Sequence, residues 1–230
     1  MSQNIPVADH EVRRSASELR ARVLAEAART PSPTRAVYKR RVLLVAAIGA
    51  LATASLFVLM GGMSPGTRPV EMIAFTVGFG LLAAAVLTRL SSNQRGSMLG
   101  RPRAVLLTAV VVAAPLLAIV ALCTKVVWPE QTGEDVTGSM NLACGLMSVV
   151  QGALPLVALL LPRRGSDPVH PALTGAALGM TAGAWTVVMA YLRCPHAAAM
   201  HCIIAHVVPT LVLTAIGAGL GWLLLRVKVA

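Results

Sequence analysis

The sequence predicts an all-α, polytopic membrane bundle of six transmembrane helices preceded by a cytosolic N-terminal amphipathic helix. Three observations carry that expectation. Six long apolar runs fill residues 42–225, no connection between them is long enough to form a domain, and a basic tail, residues 1–41, comes first. The runs lie at 42–60, 72–88, 104–123, 141–161, 171–192 and 202–225, each near the ~20 residues a bilayer core requires. Two domains follow, the tail (1–41) and the bundle (42–230).

Taken in order, the tail reads as one helix before Pro31. Ser15 and Glu18 stand at capping-box spacing. Val12, Ala16, Leu19, Val23 and Ala27 recur on one face of a 3.6-residue period with Leu24 at its edge, while Arg13, Arg20, Glu26 and Arg29 take the other faces. Thr30-Pro31-Ser32-Pro33 ends it, because the residue before a proline is pushed out of the helical region. A short helix with a thin apolar stripe is marginal in water alone, so it gains stability by docking on a protein groove or a membrane surface; a disordered orienting tail is the bland alternative.

The first span follows directly on Lys39, Arg40 and Arg41. Of the 20 Lys and Arg residues, all but Arg68, Lys125 and Arg193 fall in the tail, after even-numbered spans or between them and the next. The positive-inside rule therefore places both termini in the cytosol, which suits a multi-pass protein of a bacterial inner membrane. Net charge of +11 is explained by this topology and by anionic lipid at the membrane surface, without direct nucleic-acid binding. Pro115, Pro155 and Pro209 interrupt the third, fourth and sixth spans, where a missing backbone donor bends a helix. Gln151 is the one strong polar group near a span centre. In the fifth span Gly175, Gly179 and Gly183 share a face, as Gly217 and Gly221 do in the sixth; small residues at this spacing let backbones approach in lipid, so these faces are expected to pack together.

Between the span ends there is no Asp, Glu, Lys or Arg, whereas transport pathways retain such groups despite their cost. The common catalytic motifs GxxxxGK[ST], HExxH and GxSxG are missing, and the chain is not expected to be an enzyme. A small transporter or channel component using a kinked Pro155/Pro209 cavity is the alternative, and a thiol- or quinone-type redox enzyme a third.

All four cysteines fall near the predicted non-cytosolic span ends: Cys123, Cys144, Cys194 and Cys202. In an oxidising compartment they could pair, for example Cys123 with Cys144 and Cys194 with Cys202, though spacing alone leaves every pairing open. Around the last turn His196, His201 and His206 join them, with Cys202 and His206 at i and i+4. Thiol and imidazole ligands suit zinc or copper, and Cys194, His196, Cys202 and His206 could make a tetrahedral set. A disulfide, structural thiols and a redox or metal site remain open readings of Cys194, His196, His201, Cys202 and His206.

Several segments resemble one family. They are the Arg-rich helix leading to Pro31-Ser32-Pro33-Thr34-Arg35, six spans with short loops, the stretch His170-Pro171 to Gly179, and the close from Cys194-Pro195 through His201, His206 and Pro209 to Gly217, Gly221 and Arg226. Together these resemble the six-span membrane anti-sigma factors of the NrsF type. Ile204-Ala205-His206 stands where the family generally carries a Trp-Tyr pair, which points to the branch of the light-response regulator of myxobacterial carotenoid synthesis. The resemblance implies that the tail binds an extracytoplasmic-function sigma factor and withholds it from RNA polymerase until a signal, light or an oxidant, ends sequestration. In that scheme Val12, Leu19, Val23 and Leu24 supply buried contacts and Arg13, Arg20 and Arg22 steer toward an acidic surface. A homodimer of the bundle is left open.

Overall fold

The computed structural model describes Glu18, Ala21, Ala25 and residues 35–64, 66, 68–92, 101–131, 136–164 and 169–226. It divides into two compact units, Met1–Val42 and Leu43–Ala230. In the first unit Glu18, Ala21 and Ala25 are helical and exposed. The stripe residues Val12, Leu19, Val23 and Leu24 and the arginines Arg13, Arg20 and Arg22 lie outside the described residues.

The described residues contain six long helices and no strand: α1 (Arg35–Leu59), α2 (Val70–Ser91), α3 (Arg103–Val127), α4 (Gly138–Leu160), α5 (Pro171–Arg193) and α6 (Ala199–Leu225). All six are long and apolar enough to cross a membrane. Short 3₁₀ turns, Pro129–Gln131 and Leu161–Arg163, follow α3 and α4. A Schellman turn ends α1: the Gly62 N–H donates to the Phe57 carbonyl (2.9 Å) and the Gly61 N–H to the Val58 carbonyl (3.0 Å). Gly61 sits there at φ +104°, a conformation that glycine adopts without Cβ strain.

Helix α5 is the axis of the bundle. In its most apolar stretch 78 % of residues are buried, against 6 % for α1, although its mean hydropathy of 1.4 is the lowest of the six. Burial inside a membrane bundle selects for small residues rather than greasy ones, since lipid already satisfies apolar surface and only close packing distinguishes protein from lipid. One side of α5 (Ala177, Met180, Ala184, Val187, Tyr191) packs with Ala84 and Leu87 of α2 and Leu106, Ala109, Ala113 and Leu117 of α3. The other side (Leu178, Ala182) packs with Leu156 and Leu160 of α4 and Leu213 and Leu225 of α6.

The glycine faces of α5 and α6 meet, as their spacing predicts. A Cβ added at Gly175 would fall on the Gly217 carbonyl oxygen and 2.7 Å from Gly221 Cα; one at Gly183 would lie 2.6 Å from Thr210 Cβ. At the rim bearing the α2–α3 and α4–α5 connections, arginines cap the exposed carbonyls of α2. Arg101 donates from Nε to Ser92 O (2.6 Å) and from Nη2 to Arg89 O (2.9 Å), and Arg163 donates to Ser91 O. Cations are favoured at a helix C-terminus, so these residues close a helix end in addition to any part in topology.

Candidate functional site: a thiol and imidazole cluster at the α5–α6 rim

The cluster is assembled from three segments: the first turns of α4, the connection after α5, and the start of α6. Cys194 follows the last residue of α5, and its N–H donates to Ala190 O (2.8 Å), fixing it against the helix end. The chain runs extended to Ala198 and re-enters helix at Ala199, and residues Ile203–Val207 form a π-turn. Pro209 has no N–H to offer the carbonyl of Ala205. Ser148 of α4 reaches that carbonyl at 3.0 Å, its one proton shared between Ala205 O and Cys144 O of its own helix at 2.9 Å. π-turns are rare and concentrate at functional sites.

Within this frame His201 lies between two partners. Its Nδ1 is 2.6 Å from Asn141 Oδ1 and its Nε2 3.1 Å from Cys194 Sγ. An amide oxygen only accepts, so Nδ1 carries the proton and the Nε2 lone pair faces the thiol. His206 is held the same way, with Nδ1 3.2 Å from Ser148 Oγ and a buried Nε2 that has no hydrogen-bond partner. Asn141, Cys144 and Ser148 recur at i, i+3 and i+7 on α4, one face of the helix, so α4 supplies both acceptors and a thiol between them.

Cys144 Sγ, Cys194 Sγ and a ring nitrogen of His201 all lie within 4.8 Å of one another. Cys194 and Cys202 both point at the His196 carbonyl, at 3.7 and 4.0 Å, and the His196 ring meets His201 edge-on at 5.6 Å. All four cysteines are free thiols. Burial pushes the Cys194 thiol up from its ordinary value, against the lowering effect of the hydrogen bond from the His196 backbone and of the Arg68 charge.

Arg68, from the α1–α2 connection, closes the cluster on one side. It is 9 % exposed, donating from Nη1 to Tyr191 O (2.8 Å) and from Nη2 to Ser64 O (3.2 Å), while the Ser64 N–H donates to Leu192 O (3.2 Å). Desolvation lowers its pKa and the facing Cys194 and Cys202 oppose that. A narrow crevice lined by Arg68, Thr76, Tyr191, Cys202 and His206 opens beside it.

The grouping differs from the one that spacing suggested. Cys194, His196, Cys202 and His206 do not converge as a four-ligand set; the compact group is Cys144, Cys194 and His201. His196 contributes chiefly its carbonyl. Cys123 is exposed, and the thiol beside Cys194 is Cys144. The 50-residue gap between Cys144 and Cys194 explains why local spacing could not pair them. Asn141, Ser148 and Arg68 escaped the sequence reading as site residues. For the first two, the i, i+3, i+7 pattern around Cys144 was the available signal.

The family described as NrsF, negative regulator of sigma F, matches residues 24–227. The chain belongs to that family. Its members are classed as regulators of a sigma factor and not as enzymes, and six spanning-length helices accompany that role here. No curated protein and no solved structure matched the chain. The match begins at Leu24, so the stripe from Val12 to Val23 precedes it.

Proposed function

We propose that this NrsF-family protein is a membrane-bound anti-sigma factor. It sits in the bacterial inner membrane with both termini in the cytosol and sequesters an extracytoplasmic-function sigma factor on its N-terminal tail. Membership of a family that negatively regulates a sigma factor carries the reading. Charge asymmetry supports the orientation, and the amphipathic stripe supports the tail as the binding element. Leu19, Val23 and Leu24 with Val12 form the buried contacts, and Arg13, Arg20 and Arg22 guide the encounter. The α5–α6 rim then faces the opposite side of the membrane, where a signal arrives; the resemblance to the light-response branch makes an oxidant the favoured one.

Affinity capture tests the proposal, with the full-length protein in detergent as bait and Leu19→Asp/Val23→Asp as the comparison. A sigma factor retained by the wild type and lost by the double variant, with membrane insertion unchanged, supports it. Equal retention by both would remove the tail from the contact.

A further inference from the structure

Tyr191 Oη and His206 Nε2 are buried without a hydrogen-bond partner among the described residues, and each side chain is only 3 % exposed. Both residues line the crevice beside Arg68. Ser148 shares its one proton between Ala205 O and Cys144 O, so its Oγ accepts from His206 Nδ1–H and His206 Nε2 presents a lone pair. Tyr191 Oη presents a proton. From α2 and α3, Thr76 and Thr124 line the same crevice. Their hydroxyl protons go to carbonyls of their own helices, Met72 O (3.0 Å) and Ile73 O (3.1 Å) for Thr76 and Ala121 O (2.7 Å) for Thr124, which leaves each oxygen as an acceptor. The crevice thus combines a donor from α5 with acceptors from α2, α3 and α6. Buried polar groups are nearly always paired, and a bound water serves where the protein supplies no partner. The cavity volume there is about 10 Å³, at the lower edge of the ~10–15 Å³ that one water needs.

We propose that this crevice binds a single water molecule, which accepts the Tyr191 O–H, donates one proton to His206 Nε2 and donates the other to Thr76 or Thr124 Oγ1. Two donated bonds and one accepted bond are what a buried water typically makes. The space admits no larger solute. The water joins α5 and α6 to α2 or α3 at one point behind the rim. Tyr191 also gives its carbonyl to Arg68, and His206 lies in the π-turn of α6. The water therefore connects the residue that anchors the α1–α2 connection with the irregular turn of α6. The site is a property of the bundle and does not depend on the anti-sigma reading.

The test is hydroxyl-radical footprinting by X-ray radiolysis on the full-length protein in lipid nanodiscs. Oxygen-18 water is mixed in at increasing delays before exposure, and adducts are located by mass spectrometry. A bound water is split where it sits, so a ring beside it is hydroxylated even though bulk solvent does not reach it. Met180, fully buried on the same helix and away from the crevice, sets the background for a dry side chain. The expected result is an adduct at Tyr191 above that background, with an oxygen-18 content that lags behind the mixing of bulk water. Absence of the Tyr191 adduct overturns the proposal, because the crevice is then dry. An adduct whose oxygen-18 content keeps pace with mixing also overturns it, because the crevice is then merely open to solvent. Tyr191→Phe keeps the ring and removes one partner of the water, so isotope uptake at that position should become faster. Unchanged uptake in this variant would overturn the bonding scheme by excluding Tyr191 Oη from it.

Discussion

Gly179→Ala is the sharpest probe of how the bundle is held. A Cβ at this position would land on the Leu213 carbonyl oxygen, with Leu213 C and Thr214 Cα each 2.8 Å away. These are backbone atoms of α6 and cannot rotate aside. Restoring ordinary contact at about 3.4 Å with the two atoms at 2.8 Å alone requires the helices to separate by about 0.6 Å, and the carbonyl oxygen, nearer still, requires more. That separation also loosens the contacts of Gly175 with Gly217 and Gly221 and of Gly183 with Thr210. Overpacking of this kind costs roughly 1–3 kcal/mol, and a backbone obstacle belongs at the upper end. Alanine recovers up to ~1 kcal/mol of helix propensity, so a net loss of about 1–2 kcal/mol remains. Gly219→Ala is the matched control: it lies on α6 with nothing within 4 Å of the added Cβ, and should be neutral or slightly stabilising. Unfolding by SDS titration in mixed micelles, followed by tryptophan fluorescence, reads both. Equal stability of the two variants would refute the close-packed α5–α6 seam.

Other expectations follow from the tail and the rim. Because apolar anchors dominate helix-in-groove contacts, Arg13→Ala/Arg14→Ala should weaken sigma-factor capture less than Leu19→Asp/Val23→Asp, and the reverse ranking in a pull-down would make electrostatics the main term. Ser148→Ala removes the donor to Ala205 O and the acceptor for His206 Nδ1; leaving such buried groups unpaired costs ~1–3 kcal/mol each, visible as a lowered SDS midpoint, and an unchanged midpoint counts against the bridge. The thiolate is the reactive form, so a thiol whose pKa burial raises should alkylate slowly at neutral pH and keep accelerating above about pH 8.5, where an ordinary thiol levels off. Peptide-resolved iodoacetamide labelling should show that profile at Cys194, with the exposed Cys123 reacting faster at neutral pH; equal neutral rates would contradict it. Arg68→Met removes the donors to Tyr191 O and Ser64 O and should lower the SDS midpoint by leaving the α1–α2 connection unclamped, whereas an unchanged midpoint would mean that connection is held without the guanidinium.

The sequence alone determined the six spanning helices, because length and apolar content are local quantities that a bilayer reads one segment at a time. It also determined that α5 and α6 carry matching small-residue faces, since the glycine spacing is a property of each helix by itself. The concentration of Cys194, His201, Cys202 and His206 at one rim was equally legible, as they are neighbours in the chain. The tertiary structure decided what depends on contacts between distant segments. It made the least hydrophobic span the most buried, brought Cys144 across from α4 to Cys194, and set Asn141 and Ser148 behind the two imidazoles. It also turned Arg68 from an exception to the charge pattern into a clamp on the end of α5. These outcomes rest on which helix faces meet, and in lipid that choice comes from close packing and interhelical hydrogen bonds rather than hydrophobicity, so a hydropathy pattern cannot encode it.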